Sequence, residues 1–221
     1  MIELKELSKN YSVSGRLIKA VQPVDFAINR GEFVSIVGHS GSGKSTLLSL
    51  IGGIARPDTG TVCIDGFNIW NYDDIRLSRL RNDKFGFVYQ FASLLPTLTA
   101  RENVLLPTVF SGGGKKPADA VTLLESVGLG DKIDRYPSEL SGGEQQRVAI
   151  ARAFIHEPEI IIADEPTGDL DEETEAEIMD FFLKINKTHK VTMILVTHST
   201  ELALRASRKL RMKNGVLEEL M

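Results

Sequence analysis

Short runs of β-branched and aromatic residues recur along the chain at Glu32 to Val37, Phe85 to Tyr89, Ile160 to Ala163 and Thr192 to Val196, with helical patterns between them. That alternation predicts a largely parallel sheet with helices on its faces. Between Glu172 and Lys187 the apolar residues Ile178, Phe181, Phe182 and Ile185 fall at i, i+3, i+4 and i+7, the spacing of a one-faced helix. Its acidic first turn suits the helix dipole. From Phe91 to about Pro158 the strand signals stop. The stretch reads as helices broken by Pro96, Pro107, Gly112 to Gly114 and Pro137, so a helical lobe is expected within the α/β core. Near the C-terminus, Asn214-Gly215 lies between Leu210-Arg211-Met212 and Val216-Leu217 and predicts a hairpin turn.

Composition narrows the picture. With 221 residues and 42% hydrophobic content the chain can bury one full core and is long for a simple domain, which agrees with one domain carrying an inserted lobe. Charged residues make up 25% and the formal net charge is -4, so no overall basic field would hold the chain on nucleic acid or on anionic lipid. The one cysteine, Cys63, rules out a disulfide framework and reads as a small buried hydrophobe in a strand. The first residues have no apolar core of signal-peptide length, and runs such as Ile160 to Ala163 fall far short of a bilayer span. Direct membrane insertion and nucleic-acid binding are not expected, and the chain is expected in the cytosol.

Candidate chemistry begins at Gly38-His39-Ser40-Gly41-Ser42-Gly43-Lys44-Ser45-Thr46, which follows a strand and opens the helical run Leu47 to Ile51. This is the context a phosphate-binding P-loop requires. Glycines 38, 41 and 43 let backbone N–H groups turn around a phosphate, and the helix N-terminus adds positive potential. Lys44 can reach the outer phosphates, and Ser45 offers a hydroxyl to Mg²⁺. His39 occupies a variable place and is expected to contribute backbone only. A second element is the run of Ile160 to Ala163 into Asp164-Glu165, which sets two carboxylates at the end of a buried strand. Asp164 is a candidate Mg²⁺ ligand and Glu165 a candidate general base. The acids Glu172, Glu173, Glu175 and Glu177 read instead as a solvated helix face.

The third element is Leu140-Ser141-Gly142-Gly143-Glu144-Gln145-Gln146, which resembles the signature motif of ABC ATPases. Ser141-Gly142-Gly143 presents a hydroxyl and open N–H groups at a helix start whose buried face is marked by Val148, Ala151 and Ile155. Tyr11, Gln90, Asp169 and His198 fall in the family's order, and the resemblance covers the whole chain. It implies an α/β fold: a P-loop NTPase core with a mostly parallel sheet, an N-terminal antiparallel β part and an inserted helical subdomain. The expected division is a nucleotide-binding core at 1–90 and 159–221 and a helical subdomain at 91–158.

The resemblance also implies roles. Tyr11 would stack on adenine, Gln90 would reach Mg²⁺ and water, Asp169 would lie in the loop crossing a dimer seam, and His198 would contact the γ-phosphate. Ser141, Gly142 and Gly143 would complete the ATP pocket of a second copy, so that two chains enclose two ATP molecules. In the family the helical lobe docks a membrane subunit near Phe91 to Pro96, although these apolar residues fit an internal core equally well. Asp73 to Gln90, LLPTLTARENV and ADEPTGDLD look like the branch of lipoprotein-releasing and macrolide-exporting ATPases. The implied activity is Mg-dependent ATP hydrolysis that energises a separate integral membrane permease from the inner face of the cytoplasmic membrane. The alternative is a soluble ABC ATPase of DNA repair or translation.

Overall fold

The computed structural model describes residues 1–110, 119–168 and 170–220. Gly112 to Gly114 and Asp169 therefore lie outside the described residues. In chain order the elements are β1 (Ile2–Val13), β2 (Arg16–Ile28), β3 (Phe33–Val37), α1 (Lys44–Ile51), β4 (Thr59–Ile64), β5 (Phe67–Asn68), α2 (Asp74–Lys84) and β6 (Phe85–Tyr89). They continue with α3 (Ala100–Leu105), α4 (Ala120–Ser126), α5 (Gly142–Ala153), β7 (Ile160–Asp164), α6 (Glu172–His189), β8 (Thr192–Thr197), α7 (Thr200–Leu204), β9 (Arg208–Lys213) and β10 (Val216–Leu220). The chain divides into two compact units, Met1–Ser78 with Thr192–Met221, and Arg79–Val191.

In the first unit β1 pairs antiparallel with β2 and β4, and β4 with β5. Along β4 the residues Val62 and Ile64 are buried while Cys63 is only half-buried. Side chains alternate across a pleated strand, and the register sets Cys63 beside Glu3 and Asn68, on the polar face. The expectation of a buried Cys63 is corrected accordingly. A second group of strands has β3 parallel to both β8 and β9. Every residue of β3 and β8 is buried, which explains their continuous apolar runs. β9 turns back antiparallel into β10 through Asn214 and Gly215, whose φ values of 50° and 79° are those a two-residue hairpin turn demands.

In the second unit β6 and β7 run parallel. Among the described residues no strand lies between them, as expected, and α3, α4 and α5 fill that stretch. Val148 and Ala151 are buried on α5, whereas Ile155, expected on the same helix face, is buried in the turn beyond the end of α5 at Ala153. Asn103, fully buried on α3, accepts from the Leu95 N–H and donates to the carbonyls of Leu95, Leu98 and Thr99, so it folds the loop before α3 around itself. On α6 the buried residues are Ile178, Met179 and Phe182, with Phe181 and Ile185 half-buried. The inward stripe thus lies to one side of the expected one, and Phe181 sets its ring edge-on to Phe154 at 5.8 Å.

Candidate functional site

The first unit carries the phosphate loop. β3 delivers Val37 in a buried strand, and the chain then turns through Gly38 to Gly43 into α1. Gly41 and Gly43 take φ of 75° and 108°, backbone that side chains rarely adopt. Space adds a second reason for glycine. A Cβ at Gly38 would stand 2.2 Å from the Met212 carbonyl oxygen, and one at Gly43 would stand 2.0 Å from that of Ala20. The helix that follows has no side-chain cap and no acid in its first turn, so nothing of its own competes there with an anion. Lys44 is 4% exposed and donates to the carbonyls of Gly38 at 2.8 Å and His39 at 3.1 Å. His39, Ser40 and Ser45 are exposed, and Thr46 is half-buried. The buried Ser42 hydroxyl has no hydrogen-bond partner among the described residues, a polar atom set beside the cradle.

Two further expected residues lie in this unit. Tyr11 is exposed on β1 opposite Ile18, with the Lys9 ammonium 5.6 Å from its ring centre. His198 follows β8 and is also exposed.

The second unit carries the acidic strand end. Tyr89 and Asp164 are register partners, and Gln90 and Glu165 are the residues that follow the two paired strand ends. Burial pushes the Tyr89 phenol up, and the charge of Asp164 adds to the shift. Glu165 has φ of 52°, an unusual backbone for a residue with a side chain, costing on the order of 1–3 kcal/mol and found most often at functional sites. Its carbonyl accepts the Gly168 N–H at 3.2 Å. The Gln90 amide faces Gly168, where an added Cβ would lie 3.4 Å from Nε2.

Ser141 caps α5. Its hydroxyl accepts the Glu144 N–H, and the Glu144 carboxylate accepts the Ser141 N–H at 2.8 Å, a reciprocal capping box. Lys132 donates to the other Glu144 oxygen and holds this carboxyl below its ordinary range. Gly142 faces open space, whereas a Cβ at Gly143 would stand 2.9 Å from the Thr174 methyl. The Lys132–Glu144 pair was not among the expected site residues. Ser141 and Glu144 three positions apart were its available signal; nothing in the sequence pointed to Lys132.

The Phe91 to Pro96 segment is not core. Phe91 is 71% and Leu95 44% exposed. Arg152, from α5, donates to the carbonyls of Ala92 at 2.7 Å and Ser93 at 3.0 Å.

Among the described residues no group of three or more His, Cys, Asp or Glu side chains could hold a metal ion. Mg²⁺ asks less, since it keeps several waters and takes one or two carboxylates with substrate phosphates. Ser45 in the first unit, and Gln90 and Asp164 in the second, each carry a hard oxygen donor of the kind Mg²⁺ takes. No described helix is long and apolar enough to cross a membrane.

Comparison with known proteins identifies the family. The ABC transporter family profile matches residues 21–168. The lipoprotein-releasing system ATP-binding protein LolD of Syntrophus aciditrophicus is 43% identical over 217 residues, 97% of this chain and 97% of that protein. The macrolide export ATP-binding/permease protein MacB of Rhodopirellula baltica is 42% identical over 99% of this chain, which spans only 33% of that protein's length. A dimeric ATP-binding cassette solved in a post-hydrolysis state with ADP and Pi superposes with a TM-score of 0.91 at 41% identity, covering 100% of this chain and 99% of the other. The chain belongs to the ABC transporter family, and within it to the ATP-binding, ATP-hydrolysing subunits.

Proposed function

We propose that this subunit hydrolyses Mg-ATP as a homodimer and thereby drives a separate integral membrane permease in export or lipoprotein release. The observation that carries the reading is the cradle at Gly38 to Gly43: glycines where side chains cannot fit, an uncapped helix end, and a buried Lys44 whose ammonium lies on the loop's own carbonyls. An entering phosphate gives Lys44 a better partner than those carbonyls, because it sets a full negative charge, and not just a carbonyl dipole, against the ammonium.

Each residue then has a task. Gly38, His39, Ser40, Gly41 and Gly43 offer main-chain N–H groups, Ser42, whose N–H donates to the His39 carbonyl at 3.1 Å, offers its buried hydroxyl, and Ser45 and Thr46 extend the cradle into α1. Tyr11 lends an exposed ring face to adenine. Mg²⁺, held by Ser45, Asp164 and Gln90, would offset charge on the β- and γ-phosphates. Glu165 accepts the proton of the attacking water, an effect typically worth about 10²–10⁴ in rate. His198 and Gln90 orient the γ-phosphate and that water. Ser141, Gly142 and Gly143 serve the nucleotide of the second copy, with Asp169 at the seam between copies. The dimeric state of the solved relative supports this sharing.

The domain reading follows the same scheme, with a nucleotide-binding core at 1–90 and 159–221 and a helical subdomain at 91–158. The permease would hold the subunit at the inner face of the cytoplasmic membrane. The names of its relatives favour transport over a soluble role in DNA repair or translation. Affinity purification of Glu165→Gln from native membranes with Mg-ATP tests the reading. Co-elution of an integral membrane protein supports it, whereas ribosomal or nucleic-acid proteins in its place would move the function to the soluble class.

A further inference from the structure

The C-terminal hairpin turn is built into the phosphate loop. Gly215 donates its N–H to the Ser42 carbonyl at 2.9 Å, and its own carbonyl accepts the Gln22 N–H at 2.8 Å. The Gln22 side chain donates to the Asn214 carbonyl at 2.9 Å. Gly215 is buried, unusually for a turn, and a Cβ there would stand 2.7 Å from the Lys19 carbonyl oxygen. The two ends of the loop are packed against the backbones of two strands. Gly38 abuts the Met212 carbonyl on β9, and Gly43 abuts the Ala20 carbonyl on β2.

We propose that Gly215 is a positioning residue for nucleotide binding, which fixes the Ser42–Gly43 peptide in the orientation that a phosphate needs. The physical reason lies in peptide geometry. In a planar trans peptide the C=O and the N–H point in opposite directions. Holding the Ser42 carbonyl on Gly215 therefore aims the Gly43 N–H away from the hairpin. With its carbonyl released the peptide can rotate, and the loop must then be ordered when ATP arrives, at a cost in affinity. Gly215 meets no phosphate itself; it acts through Ser42. Because coupling is reciprocal, nucleotide bound in the loop must in turn hold the hairpin turn more tightly. This inference rests on the reading of Gly38 to Thr46 as the ATP phosphate site.

Two measurements on the full chain test it. Hydrogen exchange of the unaltered protein is followed with and without saturating ADP. The Gly215 amide is expected to slow more than the β9–β10 ladder amides, by about 5- to 10-fold if one hydrogen bond of ordinary strength is at stake. Equal slowing across the hairpin would overturn the proposal. In the second, ADP affinity is measured for Gly215→Ala, Glu218→Ala and Lys44→Ala, with folding checked by circular dichroism. Gly215→Ala is expected to bind about 5- to 10-fold more weakly while turnover at saturating ATP stays within about twofold. Glu218→Ala, on the exposed part of the hairpin, is expected to bind normally. A folded Gly215→Ala with unchanged affinity, or a Glu218→Ala that is equally weakened, overturns the proposal. If Gly215→Ala does not fold, the exchange experiment decides. Normal binding by Lys44→Ala would remove the phosphate-site reading and this inference with it, whereas weak Lys44→Ala beside normal Gly215→Ala would remove the inference alone.

Discussion

Gln146 donates its side-chain amide to the carbonyl oxygen of Tyr89 at 2.7 Å, joining residues 57 positions apart. The contact ties the helix that Ser141 opens to the last residue before Gln90. Gln146 is 2% exposed, so its loss leaves a carbonyl without its protein partner. Gln146→Leu keeps the volume and removes the donor. We expect a loss of about 1–3 kcal/mol in urea unfolding, the usual cost of orphaning a buried polar group. An unchanged midpoint would mean that the contact carries no net stability.

Lys44→Ala removes the ammonium from the cradle. Charge-assisted bonds to phosphate contribute about 1.5–3 kcal/mol, so ATP affinity should fall by roughly 10- to 100-fold. Equilibrium binding of a fluorescent ATP analogue measures it. Wild-type affinity in a folded variant would refute the assignment of the loop.

Glu165→Gln keeps the shape and one acceptor oxygen but removes the base. Hydrolysis should drop by about 10²–10⁴ with ATP still bound. Light scattering under saturating Mg-ATP should then report a stable dimer, because the bound nucleotide is no longer consumed. A monomer under those conditions would argue against the shared pocket.

Acid should weaken the fold in a defined direction. The Glu144 carboxyl lies below its ordinary value of 4.5, first through the Lys132 hydrogen bond and then through the Ser141 N–H. Asp171 lies below 3.8 through bonds from Thr174 at the start of α6. A depressed carboxyl adds stability above its unfolded pKa and loses it as the pH falls through the folded one. The melting temperature should therefore hold between about pH 7 and pH 5 and decline as the pH drops below about 4.5. Glu144→Gln should flatten part of that decline. An identical pH profile would show that the capping carboxylate does not contribute.

The features legible in the sequence are those whose cause is local. The glycine pattern ending in Lys44-Ser45, the apolar run into Asp164-Glu165, the Asn214-Gly215 turn and the helix face of Val148 and Ala151 all depend on spacing within a few residues. Backbone geometry and helical periodicity act over that range, so they can be read without a fold. The resemblance to ABC ATPases added the antiparallel N-terminal part, which composition alone did not require.

Tertiary structure decided what depends on approach between distant backbones. The Met212 and Ala20 carbonyls that exclude a side chain at Gly38 and Gly43 leave no mark in the sequence, because a carbonyl is the same for every residue. The Gly215 bond to Ser42 is hidden for that reason, as is the pinning of Tyr89, Ala92 and Ser93 by Gln146 and Arg152. Which apolar side chains reach the core was also settled by packing. Met179 is buried, while Phe91 and Leu95 face solvent, because hydrophobicity gives a side chain a reason to be covered but only neighbouring elements can cover it.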